Sequence, residues 1–174
     1  MKYVALFVAL LSAACLFSAC KKDSLEHAAD YGMSYQQFQS FKKTTNNSYE
    51  YKVIKSSWAM YSWSTVITVS QGKVVKRSYK VMLHQGQPAL PPDQMEWVEN
   101  ENEINSHTNG TAAEAVTLDV VYQHAKNEWL IKRKDTDFYF ETKNNGMIST
   151  CGYVPRGCMD DCFTGIYIEY IHAL

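Results

Sequence analysis

The chain has 174 residues, 13% of them aromatic, with twelve tyrosines and a formal charge of −1. That length supports one domain with a substantial core and not two. No basic stripe marks it for nucleic acid, and it carries no phosphate-cradling glycine loop, His-Glu-x-x-His pair or Gly-x-Ser-x-Gly elbow.

Lys2 gives a positive start, and 3–17 is an uncharged apolar stretch. It has the length of a secretion signal's hydrophobic region and falls short of the roughly 20 residues that span a bilayer. Ser18, Ala19 and Cys20 follow. This ending resembles the lipobox of bacterial lipoproteins, with Phe17 where that motif usually has leucine. The resemblance implies cleavage after Ala19 and acyl chains, palmitate among them, on Cys20. Cys15, with Ser12 three positions before it, matches less well. The expected organisation is a signal peptide at 1–19, a polar tether at 20–33 and a single domain at 34–174. The mature protein is expected at the bacterial cell envelope, periplasmic or surface-exposed, because several acyl chains hold a protein where one is marginal.

Ser34 with Gln37 predicts a capping box, Met33 and Phe38 a hydrophobic staple, and Tyr35, Phe38 and Phe41 a helical apolar stripe ending near Asn46. Tyr49, Tyr51 and Val53 alternate with charged residues as a half-buried strand. Tyr61, Trp63, Thr65, Ile67 and Val69 repeat the period, Gln71-Gly72 makes a hairpin turn, and Val75, Tyr79, Val81 and Leu83 return. Pro88, Pro91 and Pro92 interrupt the rhythm in a long insert at 84–116, with some strand character around Met95 to Val98. Connections of that length are uncommon unless functional or mobile. Thr117 caps a second helix whose Leu118, Val121, Tyr122, Ala125 and Trp129 share one face, with Lys132, Arg133 and Lys134 after it. Phe138 and Phe140, the turn Asn144-Asn145-Gly146, and Met147 to Tyr153 form another hairpin, and Ile166, Ile168 and Tyr170 a last strand. The class is α+β: an antiparallel sheet of about six strands with two helices packed on one face.

The motifs Tyr49-Glu50-Tyr51, Ser70-Gln71-Gly72-Lys73-Val74-Val75, Thr117-Leu118-Asp119 and the closing Gly146 to Pro155 and Gly165 to Ile168 carry a further likeness. Over residues 34–171 the chain resembles the bacterial secreted proteins and lipoproteins grouped as domain of unknown function 6174. The resemblance implies localisation and fold, and no activity.

Cys151, Cys158 and Cys162 stand at C-x6-C-x3-C spacing. Export predicts one disulfide among them, Cys158–Cys162 ahead of Cys151–Cys162; the alternative is a zinc site completed by His172. Asp160 and Asp161 read as solvated loop charge before a Ca²⁺ site. His124 reads as a surface residue. Trp58, Trp63 and Trp97 could stack on glycans, although core packing is the plainer role. No cofactor or metal is expected. Trp97, Glu99, Glu101, Asp160 and Asp161 are the binding candidates, for a protein or glycan partner, in an insert expected to lie outside the core. The function expected is a non-catalytic binding module rather than an enzyme; the alternatives are a hydrolase using the acidic loop residues or a Ca/Zn-binding envelope protein. Acyl burial is then the only force holding the protein to the membrane. Cys20→Ala should abolish lipid labelling and release the protein from the membrane fraction, and Cys15→Ala should do neither. Loss of label in Cys15→Ala alone would move the cleavage site.

Overall fold

The computed structural model describes residues 25–57, 61–83, 86–88, 90–107 and 110–174; the expected signal peptide (1–19), Cys20 and Trp58 lie outside them. The elements are α1 (Ala28–Thr44), β1 (Tyr49–Ser56), β2 (Ser62–Ser70), β3 (Lys73–Met82), the one-turn α2 (Pro92–Met95), β4 (Glu96–Asn100), α3 (Leu118–His124), β5 (Thr136–Glu141), β6 (Thr150–Pro155) and β7 (Thr164–Ala173). The seven strands form one sheet in the order β4-β3-β2-β1-β7-β6-β5, and every pair is antiparallel. The fold is α+β, as the periodicity predicts. The seventh strand, β4, comes from the insert.

Period-two alternation puts one face inward. Tyr51 stands opposite Ile67, Ile67 opposite Arg77, and Arg77 opposite Glu99. Over β1, β2 and β7 this face meets α1 and α3, with Phe38, Leu118, Val121 and Tyr122 in the core. Over β3 and β4 it carries a smaller cluster of Tyr79, Val81, Trp97 and Ala112. The Gln71-Gly72 hairpin has positive φ at both residues, 49° and 82°, the mirror-image turn that suits strand twist.

Three local expectations change. First, α1 begins at Ala28, so 28–33 are helical and Ser34 is interior. Its hydroxyl lies 2.8 Å from the Tyr122 hydroxyl instead of capping a helix. Met33, 61% exposed, staples nothing. Tyr122 is where two helices and a turn meet. Its ring stacks on Phe38 at 4.8 Å, and its hydroxyl donates to the Ser34 carbonyl and accepts from the Ile148 N–H. Second, β7 changes phase. Lys52 pairs with Tyr170 but Val53 with Ile168, which leaves Glu169 as a bulge. Ile171 is therefore buried and Tyr170 turns to the open face. Third, α3 passes into a π-helical turn, Ala125–Trp129, and Trp129 at its end packs half-buried against the edge of the core.

The insert is not outside the core. Glu99, fully buried, receives two bonds of 2.8 Å from the Arg77 guanidinium, plus the N–H groups of Asn105 (2.9 Å) and His107 (2.7 Å). Arg77 in turn donates to the carbonyls of His107 and Ala113. Burial alone would push the Glu99 carboxyl up; the bonds from Arg77, His107 and Asn105 and the Arg77 charge outweigh it and hold the pKa at about 2. Because the folded value is depressed from 4.5, this contribution to stability is complete above pH 4.5 and is lost as pH falls toward 2. Glu99→Gln strands a buried guanidinium and should cost about 3 kcal/mol or more. Urea unfolding from pH 5 to 2 should show wild type losing stability more steeply than the variant; equal slopes would contradict the charge pair.

Candidate functional site

Between Val53 and Ile168 the central pair of strands stops, although both strands continue. β1 runs on to Ser56 paired only with β2, and β7 starts at Thr164 paired only with β6. The bulge at Glu169 bends β7 where the two part. A hollow of about 940 Å³ opens at this fork. One wall is Gly110 to Val116 of the insert, a second is Val121, His124, Glu128 and Trp129, and a third is the loop 158–163.

Each wall is fixed by identifiable bonds. Segment 111–118 has no partner strand, so sheet side chains satisfy its backbone. The Thr65 hydroxyl accepts from the Ala113 N–H (3.0 Å), the Tyr51 hydroxyl donates to the Val116 carbonyl (2.6 Å), and the Tyr49 hydroxyl accepts from the Leu118 N–H (2.9 Å). Burial pushes the Tyr51 phenol well above its ordinary range, with Tyr49 and Glu114 adding to it. His124 bonds Glu128 at 2.9 Å and stacks on Trp129. In the third wall Cys158 and Cys162 are disulfide-bonded, with Cα atoms 6.2 Å apart. The Ser57 hydroxyl donates to Asp161 at 3.1 Å, which ties that loop to the end of β1. Among the described residues, four carboxylates (Glu114, Glu128, Asp160 and Asp161) and one ammonium, Lys55, line the hollow, and the apolar lining includes Tyr51, Trp63 and Trp129.

The structure divides the residues singled out in the sequence. Asp160 and Asp161 lie in the hollow. Trp97 and Glu99 do not. Trp97 is 9% exposed, sandwiched between Tyr79 (5.2 Å) and His107 (4.4 Å) with Arg77 over its ring, so it packs the smaller cluster rather than a contact surface. Glu101 is exposed on a 3₁₀ turn beside Lys73 at 3.8 Å, away from the hollow. Trp63 stacks on Tyr61 at the rim. Cys151 is fully buried in β6, and His172 stacks on Tyr170 on the open face. The cysteines and His172 therefore do not gather, and no group of three metal-ligating side chains forms among the described residues.

Sequence reasoning missed Glu114, Glu128 and Lys55; His124, read as a surface residue, stands partly exposed in the wall of the hollow. Each sits in a locally polar stretch, and only the crossing of the insert over the sheet brings them together. In the third wall Phe163 lies over Gly152, where a Cβ would meet its ring at 2.5 Å, and stacks on Tyr167 at 4.3 Å. No helix among the described residues is long and apolar enough to cross a membrane. No family model, curated protein or solved structure matches the chain.

Burial also pushes the Cys151 thiol well above its usual range, so it stays protonated and shielded. Non-reducing mass spectrometry should find Cys158 linked to Cys162, and iodoacetamide should label Cys151 only after denaturation. Reduction should cost about 2 kcal/mol or less, since the closed loop is short. Labelling of Cys151 in the native protein would contradict its burial.

Proposed function

We propose that this is a lipid-anchored envelope protein that works by binding, a non-catalytic module that takes a positively charged partner into the hollow at the β1–β7 fork. The observation that carries this reading is the convergence of Glu114, Glu128, Asp160 and Asp161, drawn from three separate stretches of chain, on one concave surface with aromatic walls. Carboxylates so grouped attract cations and speed encounter. The aromatic faces of Trp63 and Trp129 add cation–π and apolar contact, the pairing that concentrates binding energy in few residues. The walls are pinned by the Thr65, Tyr51 and Tyr49 bonds and by the disulfide, so little ordering remains for a partner to impose. The lipobox-like ending at Cys20 supports the anchored setting.

Tryptophan fluorescence of the protein titrated with spermine or octalysine reads this directly, because two tryptophans line the hollow. Both probes should bind with affinity that falls as salt rises. Glu114→Gln with Asp160→Asn and Asp161→Asn should weaken binding about ten-fold or more, three exposed pairs at roughly 0.5 kcal/mol each. The melting temperature should stay within a few degrees. Neither cation binding, or equal binding by the triple variant, would overturn the reading.

A further inference from the structure

We propose that the partner is an extended basic peptide, and that it binds by adding a strand to the sheet inside the fork. This rests on the cationic-partner reading above and names the partner's class. The carrying observation is the register. β1 and β7 pair from Tyr49↔Ala173 to Val53↔Ile168 and no further. Ile54, Lys55 and Ser56 of β1 have partners in β2 alone, and Thr164 to Tyr167 have partners in β6 alone. Two strand edges thus face each other across a gap, and residues of both edges line the same hollow. Among the described residues no third strand of the sheet occupies it.

Strand edges present rows of main-chain donors and acceptors whose natural partner is another extended chain. The sheet has two outer edges as well, on β4 and β5, but neither lies in this hollow. Only at the fork does a free edge coincide with concavity, aromatic walls and grouped carboxylates. A peptide paired with β1 would send alternate side chains to the inner face, where Lys55 and Trp63 stand opposite one another. Basic residues on that side reach the level of Glu114 and Glu128, and the residue beside Lys55 is best apolar. Four carboxylates against one lysine set the sign of the partner's charge.

The test leaves the protein unaltered. An acetylated, amidated octapeptide of alternating lysine and valine is compared with the same peptide N-methylated in turn at each set of alternate residues, and with spermine. Hydrogen exchange of the full-length mature protein reads out the amides. The unmodified octapeptide should slow exchange in 54–56 and 164–167, and at least one methylated form should bind about ten-fold or more weakly, since each lost main-chain bond counts about 1 kcal/mol. Spermine should bind without slowing exchange in those segments. If all the peptides bind alike and the fork amides exchange unchanged, strand addition is wrong while the acidic hollow remains a cation site. If neither octapeptide nor spermine binds, the cationic-partner reading fails with it.

Discussion

A chain segment that crosses the face of a sheet without joining a ladder must find partners for its buried N–H and C=O groups, or the crossing is prohibitively costly. Here the sheet supplies them from its own side chains. Reading across the inner face, Glu99 and Arg77 hold Asn105, His107 and Ala113, Tyr79 reaches the Thr111 hydroxyl at 2.7 Å, Thr65 takes Ala113, and Tyr51 and Tyr49 take Val116 and Leu118. These residues sit at the positions where an ordinary sheet face would carry only aliphatic ones. The abundance of tyrosine follows from this arrangement: a ring provides apolar area for the core, and its hydroxyl ends at the right depth to meet a backbone.

The same constraint shapes the hollow. A segment pinned at Ala113 and Val116 leaves Glu114 exposed between them, turned toward the gap that the Glu169 bulge creates in the sheet. The disulfide loop closes the far side. Rigidity is therefore concentrated in the walls, while the floor contains strand edges whose pairing is incomplete. Under the binding reading proposed above, such a combination would favour recognition of a chain conformation over recognition of a single functional group, because the fixed walls would set charge and the edges direction.

The α+β class, both hairpins and the faces of β1 and α3 were legible because each depends on periodicity within a dozen residues. What was not legible depends on partners distant in sequence. Ser34 reads as a cap because nothing nearby reveals Tyr122, 88 residues on. Tyr170 reads as buried because a bulge in β7 leaves no mark in the alternation of its sequence. Trp97 and Glu99 stood out correctly as unusual, an aromatic among acids, but the reason was structural: the glutamate answers Arg77, itself an oddity on the buried face of β3. An arginine in phase with Tyr79 and Val81 was the available signal that a buried acid had to exist elsewhere. Asp160 and Asp161 were found as a pair, and their companions Glu114 and Glu128 were not, because no spacing rule links residues that meet only across a sheet.

The adjacency of β1 and β7 has a further consequence, for the order of events in folding. Tyr49 and Ala173 are neighbours at the centre of the sheet, yet they are nearly the whole domain apart in sequence. The hairpins β1–β2, β2–β3 and β5–β6 can form locally, but the two halves of the sheet join only through β7. Closing so long a loop is slow relative to local contacts. The two halves therefore remain separate ribbons, each with an exposed edge and an uncovered apolar face, until β7 (Thr164–Ala173) pairs with β1. The β1–β7 pairing is thus the bolt that joins two otherwise separate ribbons into one sheet.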